Sequence, residues 1–269
     1  MIFLTLVYGT LFPFPPHVAH TPSTQARSYI ASNTMANPGS PEPRLSTGIY
    51  TRSFLALVYR YVVIGFNLPY MWKCPVQSVL VPFFSENFSE RHLDCGVADG
   101  FFLTTALQQL GRDRKQKLTL MDLNPNSLEA AKAAVTEVAP LTEVRTIIAD
   151  IRAPLPDELQ GARFDSISMF NLFHCVPGGS TKFQGIATYR KLLTDDGVLT
   201  GCTVLGERDA VNWLSRLYLK LYIWAGTFNN RSDKREDVED ILRQEFEEAD
   251  VRVVGMVLLF KAKKPRRDK

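Results

Sequence analysis

Cysteine and histidine are scarce in this chain and nowhere grouped. The four cysteines, Cys74, Cys95, Cys175 and Cys202, include no C-x-x-C pair, which excludes the usual zinc-ligand spacings and a dense disulfide framework. No metal is expected, and such usage fits a reducing, cytoplasmic compartment. Excess charge is lacking too: 31 Lys and Arg stand against 28 Asp and Glu, a net charge of +3. That surplus is too small to imply a nucleic-acid partner. Most of it lies in the last nine residues, and 263–269 read as a solvated basic tail. Long apolar runs are missing as well. Residues 1–14 are apolar, but Gly9 and Pro13 interrupt them and the first basic residue is Arg27. They have neither the charged start of a signal peptide nor the length of a membrane span, so no stable membrane insertion is expected.

What is present suffices for one sizeable core: 269 residues, 45% of them hydrophobic and 22% charged. Residues 15–43 are dominated by Pro, Ser, Thr, Ala and Asn, which bury too little apolar surface to order themselves. Residues 1–44 therefore read as a disordered or dispensable extension, and the domain as 45–262. A chain started at Met35 is expected to fold and to bind its ligand normally.

The stretch with the most chemical content runs over 91–104, Arg-His-Leu-Asp-Cys-Gly-Val-Ala-Asp-Gly-Phe-Phe-Leu-Thr. It reads as a short strand, a small-residue turn and a helix start. Gly96, Ala98 and Gly100 let the backbone approach a ligand and leave helix N-terminal N–H groups free to bond it. The same turn would also serve plain strand-to-helix packing. A dinucleotide fingerprint, Gly-x-Gly-x-x-Gly, would need its third glycine at Phe101 and fails there. Leu93, Asp94, Gly96 and Gly100 instead fit Leu-Asp-x-Gly-x-Gly-x-Gly, with Ala98 in place of the middle glycine. The stretch thus resembles motif I of the class I S-adenosylmethionine (SAM) dependent methyltransferases. That resemblance implies SAM as cofactor and contacts to it from Asp94, Gly96, Ala98 and Gly100.

Before the turn, 49–72 shows helical spacing, with Phe54, Leu57, Val58, Tyr61 and Val62 on one face and Arg52 and Arg60 off it. Gly65 and Pro69 are expected to end this helix. After the turn come a crossover helix to Gly111 and a strand over 117–122. An acid at that strand's tip, Asp122, suits a ribose, because a carboxylate accepts from both the 2′ and 3′ hydroxyls. It could also cap the helix opened by Asn124-Pro125. Asp122 and Leu123 are assigned to the cofactor. A third strand, 143–149, ends at Asp150 and Ile151, where the resemblance implies an acid for the adenine amino group and an apolar neighbour for the ring. A fourth strand, 164–170, runs into Asn171-Leu-Phe-His-Cys-Val-Pro-Gly-Gly. In the resembled family this loop contacts the methionine end of SAM, which assigns Asn171.

A helix over 182–193 leads to a fifth strand, followed by a lid insertion at about 206–235. There Trp213, Leu214, Leu217, Leu221 and Trp224 share one helical face. A further helix over 234–246 precedes two β-rich runs, 250–254 and 256–262, joined at Gly255. Alternating strands and helices predict an α/β fold, a doubly wound, Rossmann-like, mostly parallel seven-stranded sheet with a terminal antiparallel hairpin and an N-terminal helical cap.

Methyl transfer from a sulfonium is an in-line displacement in which alignment supplies much of the acceleration. An acidic acceptor needs no base. For an ordinary hydroxyl a base would help, and His174 is the only histidine outside the N-terminal extension and the first strand. Aromatic residues around the site suit a small, largely apolar acceptor, a specialised metabolite, with Tyr61, Trp72, His174, Trp213 and Phe228 as its contacts. Two other classes stay open at this point. Ala98 allows a SAM-fold protein that transfers no methyl, and the basic tail with Arg91, Arg112, Arg114 and Lys115 allows a protein or nucleic-acid methyltransferase. The Asn-Pro-Pro-Tyr motif typical of base methylation is absent, since Asn171-Leu-Phe-His stands there.

Overall fold

The computed structural model describes residue 51 and residues 55–111 and 115–267. The extension 1–44, the expected domain start at 45, and Arg52, Phe54, Arg112 and Arg114 lie outside the described residues. Five β-formers-rich segments pair in parallel: β1 (Arg91–Cys95), β2 (Lys117–Asp122), β3 (Glu143–Ile148), β4 (Phe164–Phe170) and β5 (Leu193–Val204). Two more, β6 (Phe246–Val254) and β7 (Val257–Pro265), form the closing antiparallel hairpin, with β7 antiparallel to β5. The seven-stranded order is β3-β2-β1-β4-β5-β7-β6. Strand order reverses beside β1, where β2 and β3 lie to one side and β4 to the other, and ligands of open α/β sheets bind in the crevice at such a point.

Helices cover both faces. In β7, Val257 and Leu259 face one apolar layer while Leu258, Phe260 and Ala262 face the other, the period-two alternation of a strand buried on both sides. The first layer holds α1 (Leu55–Met71), α3 (Phe101–Leu110), α4 (Pro125–Val138) and α6 (Trp213–Trp224); a short α2 (Val81–Ser85) also packs there. The second holds α5 (Gln184–Arg190) and α7 (Arg235–Glu245). Gly201 in β5 sits where the layers leave no room. A Cβ there would lie 2.3 Å from Phe260 Cζ and 2.6 Å from Met169 O. Gly201→Ala should therefore destabilise by about 1–3 kcal/mol through overpacking, read as a lowered denaturation midpoint.

Two helices differ from their sequence expectation. α1 is wound with N–H groups bonding five residues back, as in Trp72 N to Asn67 O at 2.8 Å. Its buried apolar residues, Leu55, Tyr59, Ile64 and Leu68, recur at intervals of four, five and four. The three-and-four spacing used to place Tyr61 inward therefore selects the wrong face, and Tyr61 is 76% exposed. Gly65 and Pro69 lie inside the helix rather than ending it. In α6 the Asn212 side chain accepts from Ser215 N and caps the start, and the buried residues are Ser215 and Leu219. The face with Trp213, Leu214, Leu217 and Trp224 points to solvent, because the polar edge of the helix makes the tertiary bonds: Ser215 Oγ to Met71 O (2.7 Å) and Tyr218 OH to Asn67 Oδ1 (2.9 Å).

Smaller shifts occur at the ends. Leu193 opens β5 instead of closing a helix, and β7 runs to Pro265, past the expected boundary at Ala262. The basic tail is tied down as far as Arg267, with Arg266 N donating to Glu245 O at 2.9 Å and Arg267 ion-paired with Asp195.

Candidate active site

The turn from β1 into α3 requires three left-handed residues at alternate positions: Gly96 (φ 81°), Ala98 (φ 48°) and Gly100 (φ 74°). Glycine adopts this conformation without penalty, whereas Ala98 carries strain of roughly 1–2 kcal/mol. A Cβ on Gly96 would meet Leu172 Cδ1 at 2.9 Å, so the backbone there is kept close to the loop after β4. Gly100 has a different task. It caps α3, and a Cβ there would lie 3.1 Å from Ala131 Cα, so it permits helix packing and does not line the cavity.

At the C-terminal ends of β1, β2, β3 and β4 lies a cleft of about 780 Å³, the open solvent at its mouth included. Gly96, Ala98, Asp122, Leu123, Asp150, Ile151 and Asn171, seven of the nine residues assigned to the cofactor, line it. Asp94 lines an adjoining recess together with Gly96, Ala98 and Asn171. Asp122 accepts from Asn124 N at 2.8 Å. Burial raises its carboxyl to about 6, although backbone N–H groups from Asn124, Ala98, Leu123 and Val97 oppose the shift. Asp150 accepts from the Arg152 backbone N (2.9 Å) and pairs with the Arg152 guanidinium (2.6 Å), which already uses much of its accepting capacity. Asn171 is held at φ 53°, and its Oδ1 accepts weakly from the Cys202 thiol.

Beneath the recess runs a buried polar chain that the sequence did not announce. Ser89 N donates to Ser166 Oγ (2.9 Å), Ser166 Oγ contacts His92 Nδ1 (2.7 Å), His92 Nε2 contacts Ser168 Oγ (2.9 Å), and Ser168 donates to Asp94. When Asp94 is ionised it orders the whole chain: Ser168 gives its only proton to Asp94, so His92 carries its proton on Nε2 and Ser166 donates to Nδ1. Burial pushes His92 down to about 3, keeping it neutral, and pushes Asp94 up to about 7 against the Ser168 bond.

The five residues assigned to the acceptor do not meet at the cavity. His174 is 5% exposed and faces the core, with Val204 N donating to its Nδ1 at 3.4 Å and Phe228 packed edge-on at 4.4 Å. Burial, with Lys182 adding to it, lowers its pKa to about 3. It lies in the core and is not among the residues that line the cavity. Trp72 is 1% exposed and packs on Tyr218, Tyr222 and Phe228, so Trp72 and Phe228 join α1 to α6 as core. Tyr61 and Trp213 are three-quarters exposed and outside the cavity. In their place the structure brings in Tyr59, Leu172, Cys175 and Val176. Tyr59 comes from α1, and only the five-residue interval to Ile64 could have marked it as inward. Burial, reinforced by Asp99, holds its phenol well above the usual range, so it stays protonated. Arg60, its neighbour, ties α1 to the turn, with Nε 3.4 Å from Asp99 Oδ2 and the guanidinium 5.5 Å from the Phe101 ring centre.

The cavity fits an adenosyl sulfonium on this chain's own evidence. The amide nitrogen of Asn171 is buried there without a partner, Asp122 offers a carboxylate at the tip of β2, and Gly96 leaves a cradle that a side chain would fill. Comparison with known proteins agrees. A family model described as a methyltransferase domain matches residues 93–199. The chain is 48% identical over 254 residues to O-methyltransferase NEC2 of Pyricularia oryzae, covering 85% of this chain and 96% of that protein. It is 35% identical to the physcion biosynthesis cluster O-methyltransferase of Aspergillus chevalieri, over 78% and 90% of the two chains. Among solved structures, the DhpI complex with S-adenosylhomocysteine shares the fold at a TM-score of 0.56 and 15% identity, over 82% of this chain and 96% of that one. The glycine turn, the acid-tipped strands and these likenesses converge on one assignment: the chain belongs to the class I SAM-dependent methyltransferases, and its cofactor is S-adenosylmethionine.

Proposed function

We propose that this methyltransferase places the methyl of SAM on an oxygen of a small, largely apolar metabolite, and that the oxygen loses its proton without help from an enzyme base. The observation that carries this reading is the position of His174, buried in the core and absent from the cavity lining. The Tyr59 phenol lines the cavity but stays protonated, so it can donate a hydrogen bond and not take a proton. An acidic phenol or enol would arrive ionised near neutral pH. Relatives named as O-methyltransferases, one from a physcion biosynthesis cluster, support oxygen as the acceptor atom and specialised metabolism as the setting. Free thiols at all four cysteines support a cytoplasmic location.

SAM supplies an electrophilic methyl on sulfur. The chain's residues would hold it in line with the acceptor: Asp122 on the ribose hydroxyls, Leu123 and Ile151 against the adenine, Asn171 and the Gly96 backbone toward the methionine end, and Asp94 below them. Asp150, already engaged by Arg152, would face the adenine amino group with its remaining accepting capacity. Since Asp122 must be ionised to accept from two hydroxyls, cofactor affinity should weaken as pH falls through about 6. The stability of the free protein moves the other way. A folded carboxyl raised above its ordinary 3.8 favours folding at low pH, and that contribution is lost as pH rises toward about 6. Calorimetric titration of S-adenosylhomocysteine from pH 5 to pH 8 checks the first sign, with flat affinity counting against Asp122 as the ribose acceptor. Incubation with methyl-labelled SAM and a panel of phenols, enols, alkyl alcohols and amines checks the acceptor. Rates that follow acceptor acidity support the proposal, and preferential methylation of alkyl alcohols or amines overturns it.

A further inference from the structure

Twelve large apolar side chains among the described residues are exposed, and seven of them stand on α1 and α6 alone. Trp213 and Trp224 are 75% and 86% exposed, Tyr61 and Tyr70 are 76% and 58%, and Leu217 is 48%. The two helices run antiparallel: Ser215 bonds Met71 at one end, while Tyr218 and Tyr222 both bond Asn67 further along. This pairing carries Tyr70 toward the Trp213 end and Tyr61 toward the Trp224 end, leaving leucine between. Neither helix contains an acid. Their charges are Arg60, which is turned to Asp99, and Arg216 and Lys220, and the acid recorded beside α6, Glu207, is shared between Lys220 (3.9 Å) and Arg231 (3.4 Å).

We propose that this two-helix face is a docking surface for an anionic membrane, on which the protein lies without crossing it. Tryptophan and tyrosine at both ends of an apolar stripe, with Arg216 and Lys220 beside it and no acid on either helix, match the headgroup boundary of a bilayer carrying acidic lipids. Among the described residues no helix is long and apolar enough to span a membrane, which leaves interfacial attachment. Pairing of this face with a second copy is disfavoured by the same charges, because a twofold contact would set Arg216 and Lys220 against themselves with no acid on either helix. The inner side of α1 supplies Tyr59 to the cavity, so the docked face is the back of a cavity wall.

Cosedimentation with vesicles of phosphatidylcholine containing phosphatidylserine, against phosphatidylcholine alone, tests this on the full chain. Binding should require phosphatidylserine, weaken with added salt, and shift the emission of the two exposed tryptophans to the blue. Arg216→Glu with Lys220→Glu should lower partitioning about fivefold for each charge removed, and more for the reversal. Leu217→Ser with Trp224→Ser should lower it about tenfold or more. Both variants should keep the melting temperature and S-adenosylhomocysteine affinity of the parent, since these side chains are exposed and outside the cavity, so vesicle binding is read independently of methyl transfer. Absence of vesicle binding overturns the proposal. So does binding that ignores phosphatidylserine and survives the charge reversals, or a dimer that Trp224→Ser dissociates while vesicles are not bound.

Discussion

Replacing Asp122 by alanine should weaken S-adenosylhomocysteine binding by about a hundredfold or more. Each ribose hydroxyl donating to a carboxylate contributes roughly 1.5–3 kcal/mol, and two are available to this one side chain. Asp122 is the only acid of the cavity whose carboxylate has no cationic partner recorded, whereas Asp150 is clamped by Arg152. Burial disfavours its charge while Asn124 N and neighbouring N–H groups bond it, so the two effects offset and the free protein should lose no more than about 1 kcal/mol with it. Binding lost while the melting temperature holds therefore identifies a cofactor contact. The capping alternative, in which Asp122 serves Asn124 N and the start of α4, predicts the reverse: reduced stability and little change in affinity. Calorimetry and a thermal melt on one variant separate the two.

The second large effect lies away from the cavity. Lys182, in the one-turn helix Gly179–Phe183, and Asp233, just before α7, form an ion pair at 2.6 Å with side chains 0% and 1% exposed. Nζ also donates to Asn229 O at 3.2 Å. Burial lowers Lys182 and raises Asp233 to about 6, and in each the desolvation outweighs the attraction of the partner. The intact pair is thus a poor net stabiliser, yet breaking it strands a charge. Lys182→Met should destabilise by about 3–5 kcal/mol, a melting-temperature loss on the order of 10 °C. The double variant Lys182→Met with Asp233→Leu should recover most of that loss, because it leaves no buried charge. A single variant within about 1 kcal/mol of the parent, or a double variant worse than the single, would refute this account of the pair.

Much of the site was legible because it is built from backbone requirements local in sequence. A turn that needs positive φ at alternate positions and an acid at a strand tip appear as residue types at fixed spacing, which singles out Gly96, Ala98 and Asp122, while Asp150 and Asn171 follow from the family resemblance; all five line one cavity. The order of strands and the closing hairpin were legible for the same reason, since alternation and turn residues are written within each segment. The acceptor side was not. Trp72, His174 and Phe228 suit an acceptor wall by residue type alone, and residue type says nothing about which way a side chain faces. An ordinary helical period points Tyr61 and Trp213 inward, whereas both are exposed. In α1 the wider winding moved the inward stripe to Tyr59 and Ile64, and in α6 the tertiary hydrogen bonds of Ser215 and Tyr218 turned the more apolar stripe outward. The sequence by itself determined the fold, the cofactor turn and the acids around it, because these follow from local dihedrals and period. Which helix faces are buried, and that His174 lies in the core, only the tertiary structure decided, because burial depends on what each helix meets across tens to hundreds of residues of chain.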